Sequence, residues 1–339
     1  MKNQRIKVGI VGISGYTGLE LVKMIVAHPY FELSYAGASS SGVLSENFSS
    51  LKGVIDIEIK KADADEIKSK CDLVFLALPH TEGMKLASAL RDSGVKIVDL
   101  SADYRVSQAN YEKNYCPHLD PKGLEDAVYG LVEINRNKIK NANLIANPGC
   151  YPTCSLLGLL PFANMLKSDV MIDAKSGLSG AGKGLKPSSH FISVNENMNA
   201  YSPLTHRHSD EISEHLNLNL SQKIDVMFVP HLIPLSRGML VSSYGFLNDE
   251  FKDIDPLEIL TEFYKDEKFI RIRREPVSIK DVAGTHFCDI YAMNHNGKIW
   301  INSSIDNLLR GASSQAIANA NLIMGIDEST ALPIIGNSI

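Results

Sequence analysis

An apolar run, Ile6–Val11, leads straight into the glycine-spaced loop Gly12-Ile13-Ser14-Gly15-Tyr16-Thr17-Gly18, and an amphipathic helix follows over 19–27. A run of this length, apolar but for Lys7, reads as a central parallel strand buried on both faces. A strand, a glycine turn and a helix in that order bring backbone N–H groups and a helix N-terminus together where a pyrophosphate lies in a dinucleotide-binding βαβ unit. The spacing is GxxGxxG rather than GxGxxG, and glycine patterns also occur in ordinary turns. The position between strand and helix is what carries the reading. Gly12, Ser14, Gly15, Tyr16, Thr17 and Gly18 are therefore the expected coenzyme contacts.

The second strand, over 31–37, ends in Ala38-Ser39-Ser40-Ser41 where an acidic residue would hold a ribose 2′-hydroxyl. A carboxylate there repels a 2′-phosphate and small hydroxyl donors admit one, so Ser39 and Ser40 point to NADP rather than NAD. The competing reading is a simple serine turn. Further units follow: a strand over 72–78 ending at Pro79, a helix over 82–93 and a strand over 96–100. This alternation predicts a parallel sheet, with Pro79 among the coenzyme contacts at its carboxyl edge. Ser101-Ala102-Asp103-Tyr104-Arg105 comes next, at another carboxyl end. Arg105 offers a planar fork for a phosphate and Ser101 a hydroxyl donor, with a surface ion pair between Arg105 and Asp103 as the alternative.

Cys150 stands in Asn147-Pro148-Gly149-Cys150-Tyr151-Pro152-Thr153, where a Pro-Gly corner delivers one thiol to the start of an apolar helix. Free N–H groups and the positive end of the helix dipole favour thiolate there, the form that attacks acyl carbons. For any single cysteine the bland alternative is inert burial. Downstream, strands over 169–176, 224–229, 239–247 and 287–294 suggest a mixed sheet with fewer crossover helices. Gly177-Leu178-Ser179-Gly180-Ala181-Gly182-Lys183-Gly184 ends the first of them, and its four glycines permit close approach to a flat ligand. His206-Arg207-His208 supplies a proton acceptor and donor for a thiol, with His206 or His208 as the choice. Cys-x3-Cys with His-x-His lacks a zinc spacing, so no metal is expected. The tail from Asn307 through Met324 reads as one long helix rich in small residues.

The 339 residues, 44% of them hydrophobic, suffice for two domains, and a net charge of −5 argues against nucleic acid or anionic membrane as partner. There is no leader-like apolar segment and no membrane-length run, and the five cysteines form no CxxC pair, so a reducing, cytoplasmic setting is expected. The fold class expected is α/β: a Rossmann-like doubly wound parallel sheet domain plus an α+β catalytic domain with a mixed sheet.

Seven segments in order then carry a resemblance: Gly12 to Leu21, Asp99 to Arg105, Asn147 to Thr153, Ser179 to Gly182, His206-Arg207-His208, Val229 to Leu232 and Asp306-Asn307-Leu308. Together they resemble the N-acetyl-γ-glutamyl-phosphate reductases, within the aspartate-semialdehyde dehydrogenase superfamily. The resemblance runs nearly end to end. It implies an NADP-dependent acyl-phosphate reductase of arginine biosynthesis, with Cys150 forming a thioester and His206 returning a proton to sulfur. Ser101 and Arg105 would hold the leaving phosphate and Arg207 a substrate carboxylate, while Ser179, Gly180, Gly182 and Asn307 would border the nicotinamide. It also implies an NADP-binding domain over 1–149 and 307–339, a catalytic and dimerisation domain over 150–306, and a homodimer or homotetramer. The rival readings are an aminoadipyl-phosphate or aspartyl-phosphate reductase and a non-catalytic NADPH-binding regulator. Tyr104, where phenylalanine is commoner, and the long serine run depart from the family pattern.

Overall fold

A computed structural model describes residues 5–336 apart from residue 185. The chain divides into two compact units, with boundaries at Pro148/Gly149, Gly311/Ala312 and Leu332/Pro333. The division expected from sequence assigned everything from 307 onward to the first unit. Instead 307–311 and the segment from Pro333 belong to the second, where Asp306 is buried among backbone donors and the carbonyl of Pro333 accepts the N–H of His286 at 2.7 Å.

The first unit carries an eight-stranded sheet built from β1 (Ile6–Val11), β2 (Phe31–Ala38), β3 (Gly42–Val43), β4 (Glu58–Lys61), β5 (Leu73–Leu76), β6 (Lys96–Asp99), β7 (Val128–Tyr129) and β8 (Leu144–Ala146). Its order is β3-β4-β2-β1-β5-β6-β8-β7, parallel throughout except for the antiparallel edge pair β3–β4. The chain moves outward from β1 first in one direction and then in the other. That reversal opens a crevice at the carboxyl ends of β1, β2 and β5. The first helix begins at Tyr16 rather than residue 19, so Gly18 lies inside it.

The expected tail helix is shorter than its composition implies. A π-helical turn, Leu309–Ser313, precedes a fully buried α-helix, Ser314–Ile323, which lies in the first unit. Asn319 fastens that helix by donating Nδ2 to the carbonyl of Gly130 at 2.9 Å and to Oδ1 of Asn147 at 3.1 Å.

The second unit holds β9 (Val170–Gly177), β10 (Asn199–Ala200), β11 (Val226–Ile233), β12 (Met239–Phe246), β13 (Ile270–Ile272), β14 (Cys288–His295) and β15 (Lys298–Ile305) in the order β10-β11-β9-β12-β15-β14-β13. The sheet is mixed, with β11–β9 and β13–β14 parallel and the rest antiparallel. β15 was not among the expected strands, because its small polar run Asn302-Ser303-Ser304 disguises a fully buried stretch. The helices Cys150–Leu159, His208–Leu216 and Pro256–Phe263 pack against this sheet.

Candidate active site

Within the first unit, the turn after β1 tolerates only glycine at residue 12. Its φ is +90°, and a Cβ would stand 2.1 Å from the carbonyl oxygen of Ala77. Backbone is thereby exposed over a cavity of about 670 Å³ at the carboxyl ends of β1, β2 and β5. Of the expected coenzyme contacts, Gly12, Ser14, Gly15, Ser39 and Pro79 line it, whereas Tyr16, Thr17, Gly18 and Ser40 are not in the lining. Gly18 has a packing task instead, since a Cβ there would meet the carbonyl oxygen of Gly12 at 2.5 Å. Lys61 and Lys85 also line the cavity and were missed from sequence. β4 is too short to announce itself by periodicity, yet it pairs Lys61 with Ala38, beside Ser39.

Ser101 and Arg105 follow β6. The Ser101 hydroxyl donates to Asp99 Oδ2 at 2.5 Å and its N–H to Oδ1 at 3.2 Å, while Arg105 Nη2 donates to the carbonyl of Leu100 at 2.7 Å. Asp99 is wholly buried. Burial pushes its carboxyl up to about 7, the Ser101 hydroxyl opposing and the neighbouring Asp103 charge reinforcing the shift. Asp103 is no surface group. It accepts the N–H groups of Thr81 and Met84 and the hydroxyl of Tyr111, holding the turn that carries Pro79.

In the second unit, Cys150 is the first residue of the helix Cys150–Leu159. Gly149, its N-cap, donates its N–H to Oε1 of the buried Glu211 at 2.9 Å, and its carbonyl accepts the Thr153 N–H and hydroxyl. Cys150 is only partly buried. Cys154, one turn on, is sealed in the core, where burial pushes its thiol up to about 12. Local geometry therefore separates a reachable thiol from an inert one within the same helix.

His206 sits in an aromatic box, edge-on to Tyr151, Tyr201, His208 and Phe228 at ring separations of 5.9, 5.4, 4.7 and 5.6 Å. Its Nδ1 receives the N–H of His208 at 3.1 Å. An amide N–H only donates, so Nδ1 is the acceptor and a neutral ring carries its proton on Nε2. Burial, and then the Arg207 charge, push the ring down to about 4. Tyr201 donates its hydroxyl to that of Tyr151 at 3.2 Å, which donates to the carbonyl of His231 at 3.1 Å. Burial raises both phenols, and the neighbouring Cys150 adds to the shift. Arg207 is exposed beside this box.

The glycine loop after β9 folds into a 3-10 turn, Leu178–Ala181. Asn307 Nδ2 donates to the Ser179 hydroxyl at 3.0 Å, and Gly182 closes the turn with its N–H on Ser179. Asn307, Ser179, Gly180 and Gly182 thus form one cluster. Glu211, Tyr151 and Tyr201 join Cys150 and His206 without having been chosen from sequence. The pattern His206-x-His208-x-x-Glu211, placing a carboxylate in the first turn of the following helix, was the available signal for Glu211. Among the described residues, no group of three or more His, Cys, Asp or Glu is arranged to hold a metal, and no helix is long and apolar enough to cross a membrane.

The comparisons agree with this layout. Residues 7–142 match the semialdehyde dehydrogenase NAD binding domain, and residues 150–307 the semialdehyde dehydrogenase dimerisation domain. The aspartate semialdehyde dehydrogenase II of Vibrio cholerae shares the fold, with a TM-score of 0.72 at 16% identity over 95% of this chain and 99% of that one. Relatives named N-acetyl-gamma-glutamyl-phosphate reductase are much closer in sequence. The protein of Campylobacter curvus is 62% identical over 332 residues, spanning 97% of this chain and 98% of the relative. That of Wolinella succinogenes is 55% identical over 333 residues, again across 97% and 98%. At such identity over nearly its whole length, the chain belongs to the N-acetyl-gamma-glutamyl-phosphate reductase family.

Proposed function

We propose that the protein reduces N-acetyl-γ-glutamyl phosphate to N-acetylglutamate 5-semialdehyde with NADPH, a step of arginine biosynthesis. The observation that carries this reading is Cys150, a reachable thiol on the first turn of a helix whose N-cap is pinned by a buried carboxylate. The helix N-terminus favours thiolate. The thiolate attacks the acyl carbon, a C–S bond forms, the C–O bond to phosphate breaks, and inorganic phosphate leaves as a thioester remains on Cys150. Ser101 and Arg105 are the residues proposed to receive the phosphate, and Arg207 the substrate carboxylate.

NADPH, when bound, supplies the hydride that reduces the thioester. Gly12, Ser14, Gly15 and Pro79 would cradle it, and Ser39 with Lys61 would meet its 2′-phosphate; the bare backbone at Gly12 and the Lys61 ammonium in the lining fit such a group, while Lys85 is paired with Glu82. Ser179 and Asn307 are proposed to border the nicotinamide. Collapse of the resulting hemithioacetal oxyanion restores the C=O bond and expels the Cys150 thiolate. His206 acts in this scheme as a neutral Nε2–H donor toward charge developing on oxygen or sulfur; of the acceptor and donor roles expected from sequence for the histidine pair, the scheme keeps the donor for His206. Its engaged Nδ1 and its lowered pKa support that assignment.

A homo-oligomer, dimer or tetramer, is part of the proposal. Met227, Met171, Tyr244, Trp300 and Met293 stand opposite one another in register across β11, β9, β12, β15 and β14, and four of the five are exposed. An apolar row across five strands supports a second copy of the chain as its cover. Five free thiols support a cytoplasmic setting.

The test is oxidation of N-acetylglutamate 5-semialdehyde with NADP and inorganic phosphate, run beside NAD and beside aspartate semialdehyde. Turnover requiring phosphate, preferring NADP and lost in Cys150→Ser supports the reading. Preference for aspartate semialdehyde, or activity surviving Cys150→Ser, refutes it.

A further inference from the structure

Between β15 and the last helix the chain makes a turn, 306–311, whose construction exceeds what a connection requires. Asp306 is fully buried, and its carboxylate gathers four hydrogen-bond donors and an ion pair. Oδ1 accepts the N–H groups of Leu308 at 2.9 Å and Leu309 at 3.0 Å, with Arg237 Nη2 at 3.3 Å. Oδ2 accepts the N–H of Gly284 at 2.7 Å and forms an ion pair with the Arg237 guanidinium, whose Nε lies 2.8 Å away. The Asp306 carbonyl then accepts the N–H of Gly311 at 2.9 Å, a bond spanning five residues where an α-turn spans four. A second anchor lies inside the turn. Arg310, 1% exposed, donates Nη1 to His286 Nε2 at 2.7 Å.

Both ends of this turn meet functional groups of the same unit. At one end, Asn307 takes the N–H of Gly238 on Oδ1 at 2.6 Å and donates Nδ2 to the Ser179 hydroxyl at 3.0 Å. At the other, Gly311 lies flat against the nucleophile: a Cβ on it would stand 2.7 Å from Cys150 Cβ and 3.1 Å from its Cα. The φ of Gly311 lies outside the left-handed region, so its backbone suits alanine. What a side chain there meets first is Cys150, with a lesser 3.4 Å approach to Ile305 Cδ1.

We infer that Asp306 is a positioning residue for the nucleophile: it holds the turn so that Gly311 seats Cys150 while Asn307 seats Ser179. The inference rests on reading Cys150 as the nucleophile. One carboxylate thereby sets the geometry of the thiol and of the glycine loop together. Displacing Gly311 by a single methyl group shifts the first turn of the helix Cys150–Leu159, and with it the N–H groups that favour thiolate.

The test uses the full-length protein carrying Gly311→Ala or Asp306→Asn, with three readouts. Alkylation of Cys150 by iodoacetamide across pH is expected to slow about tenfold in Gly311→Ala and to lose its low-pH shoulder, because thiolate character depends on helix-end geometry. Semialdehyde oxidation is expected to lose kcat about a hundredfold with the KM for NADP within about twofold, as a misplaced reacting atom predicts. A merely destabilised protein would expose the thiol and alkylate faster. In the third readout, Gly311→Ala lowers Tm more in the parent protein than in Cys150→Gly, which lacks the Cβ met at 2.7 Å and keeps only the Cα at 3.1 Å. Should Asp306→Asn fail to fold, Gly311→Ala decides the question by itself. Parental alkylation and kcat in Gly311→Ala, or a Tm loss equally large in Cys150→Gly, overturn the inference. If the parent protein does not turn over the semialdehyde while Gly311→Ala still slows alkylation, the proposed function falls and the positioning role stands.

Discussion

Glu211 accepts the main-chain N–H of Gly149 at 2.9 Å, and this bond ties the residue preceding the thiol to the helix that follows His206. Glu211 is 3% exposed, so water offers the Gly149 N–H no substitute acceptor. Two segments sixty-two residues apart are joined by it.

Glu211→Ala should therefore cost about 2–3 kcal/mol of stability, the usual effect of stranding a buried partner of a charged group. Glu211→Gln retains an acceptor oxygen and should lose less than half as much. Urea unfolding of the three proteins tests the order. Equal stability in all three would mean the bond contributes nothing.

Two buried groups give opposite pH dependences. His206, held down at about 4, stays neutral in the folded chain while the unfolded chain binds its proton below about 6.5, so its share of stability rises as pH climbs through that window. Asp99, raised to about 7, keeps a proton in the folded chain that the unfolded chain releases above about 4, so its share falls over the same interval. His206→Gln should weaken the gain in Tm between pH 4.5 and pH 6.5, on the order of one protonation step. Asp99→Asn should instead make the protein more stable at alkaline pH relative to acid than the parent. Identical Tm profiles across the variants would refute both assignments.

Lys61 supplies a cation at the cavity rim beside Ser39. Lys61→Ala is expected to weaken NADPH binding about tenfold, the equivalent of one charge-assisted hydrogen bond, with NADH unaffected. Fluorescence titration with each coenzyme reads the difference, and equal losses for the two would remove Lys61 from the 2′-phosphate site.

A charge in the middle of the apolar row should break assembly. Tyr244 is 42% exposed in the chain and faces Met171 on one side and Trp300 on the other. Tyr244→Asp is expected to convert the proposed oligomer to monomers in sedimentation experiments, since an unpaired charge in an apolar interface is costly. An unchanged sedimentation coefficient would place the contact elsewhere.

Sequence by itself determined the local features: β1 with its glycine turn, the alternation that builds a parallel sheet, the Pro-Gly corner bearing Cys150, and the histidine pair beside a helix start. Each is written in consecutive residues, where strand period, turn chemistry and helix capping act over a few positions. Only the tertiary structure decided what depends on distant segments meeting. It gathered Gly12, Ser14, Gly15, Ser39 and Pro79 around one cavity and brought Lys61 to the same lining, because β4 pairs with β2. It closed Nδ1 of His206 with the His208 amide, a contact between backbone and ring that the residue pattern alone does not specify. It broke the tail helix at a π-turn around Asp306, because a buried carboxylate must satisfy its acceptors with whatever donors the folded chain brings to it.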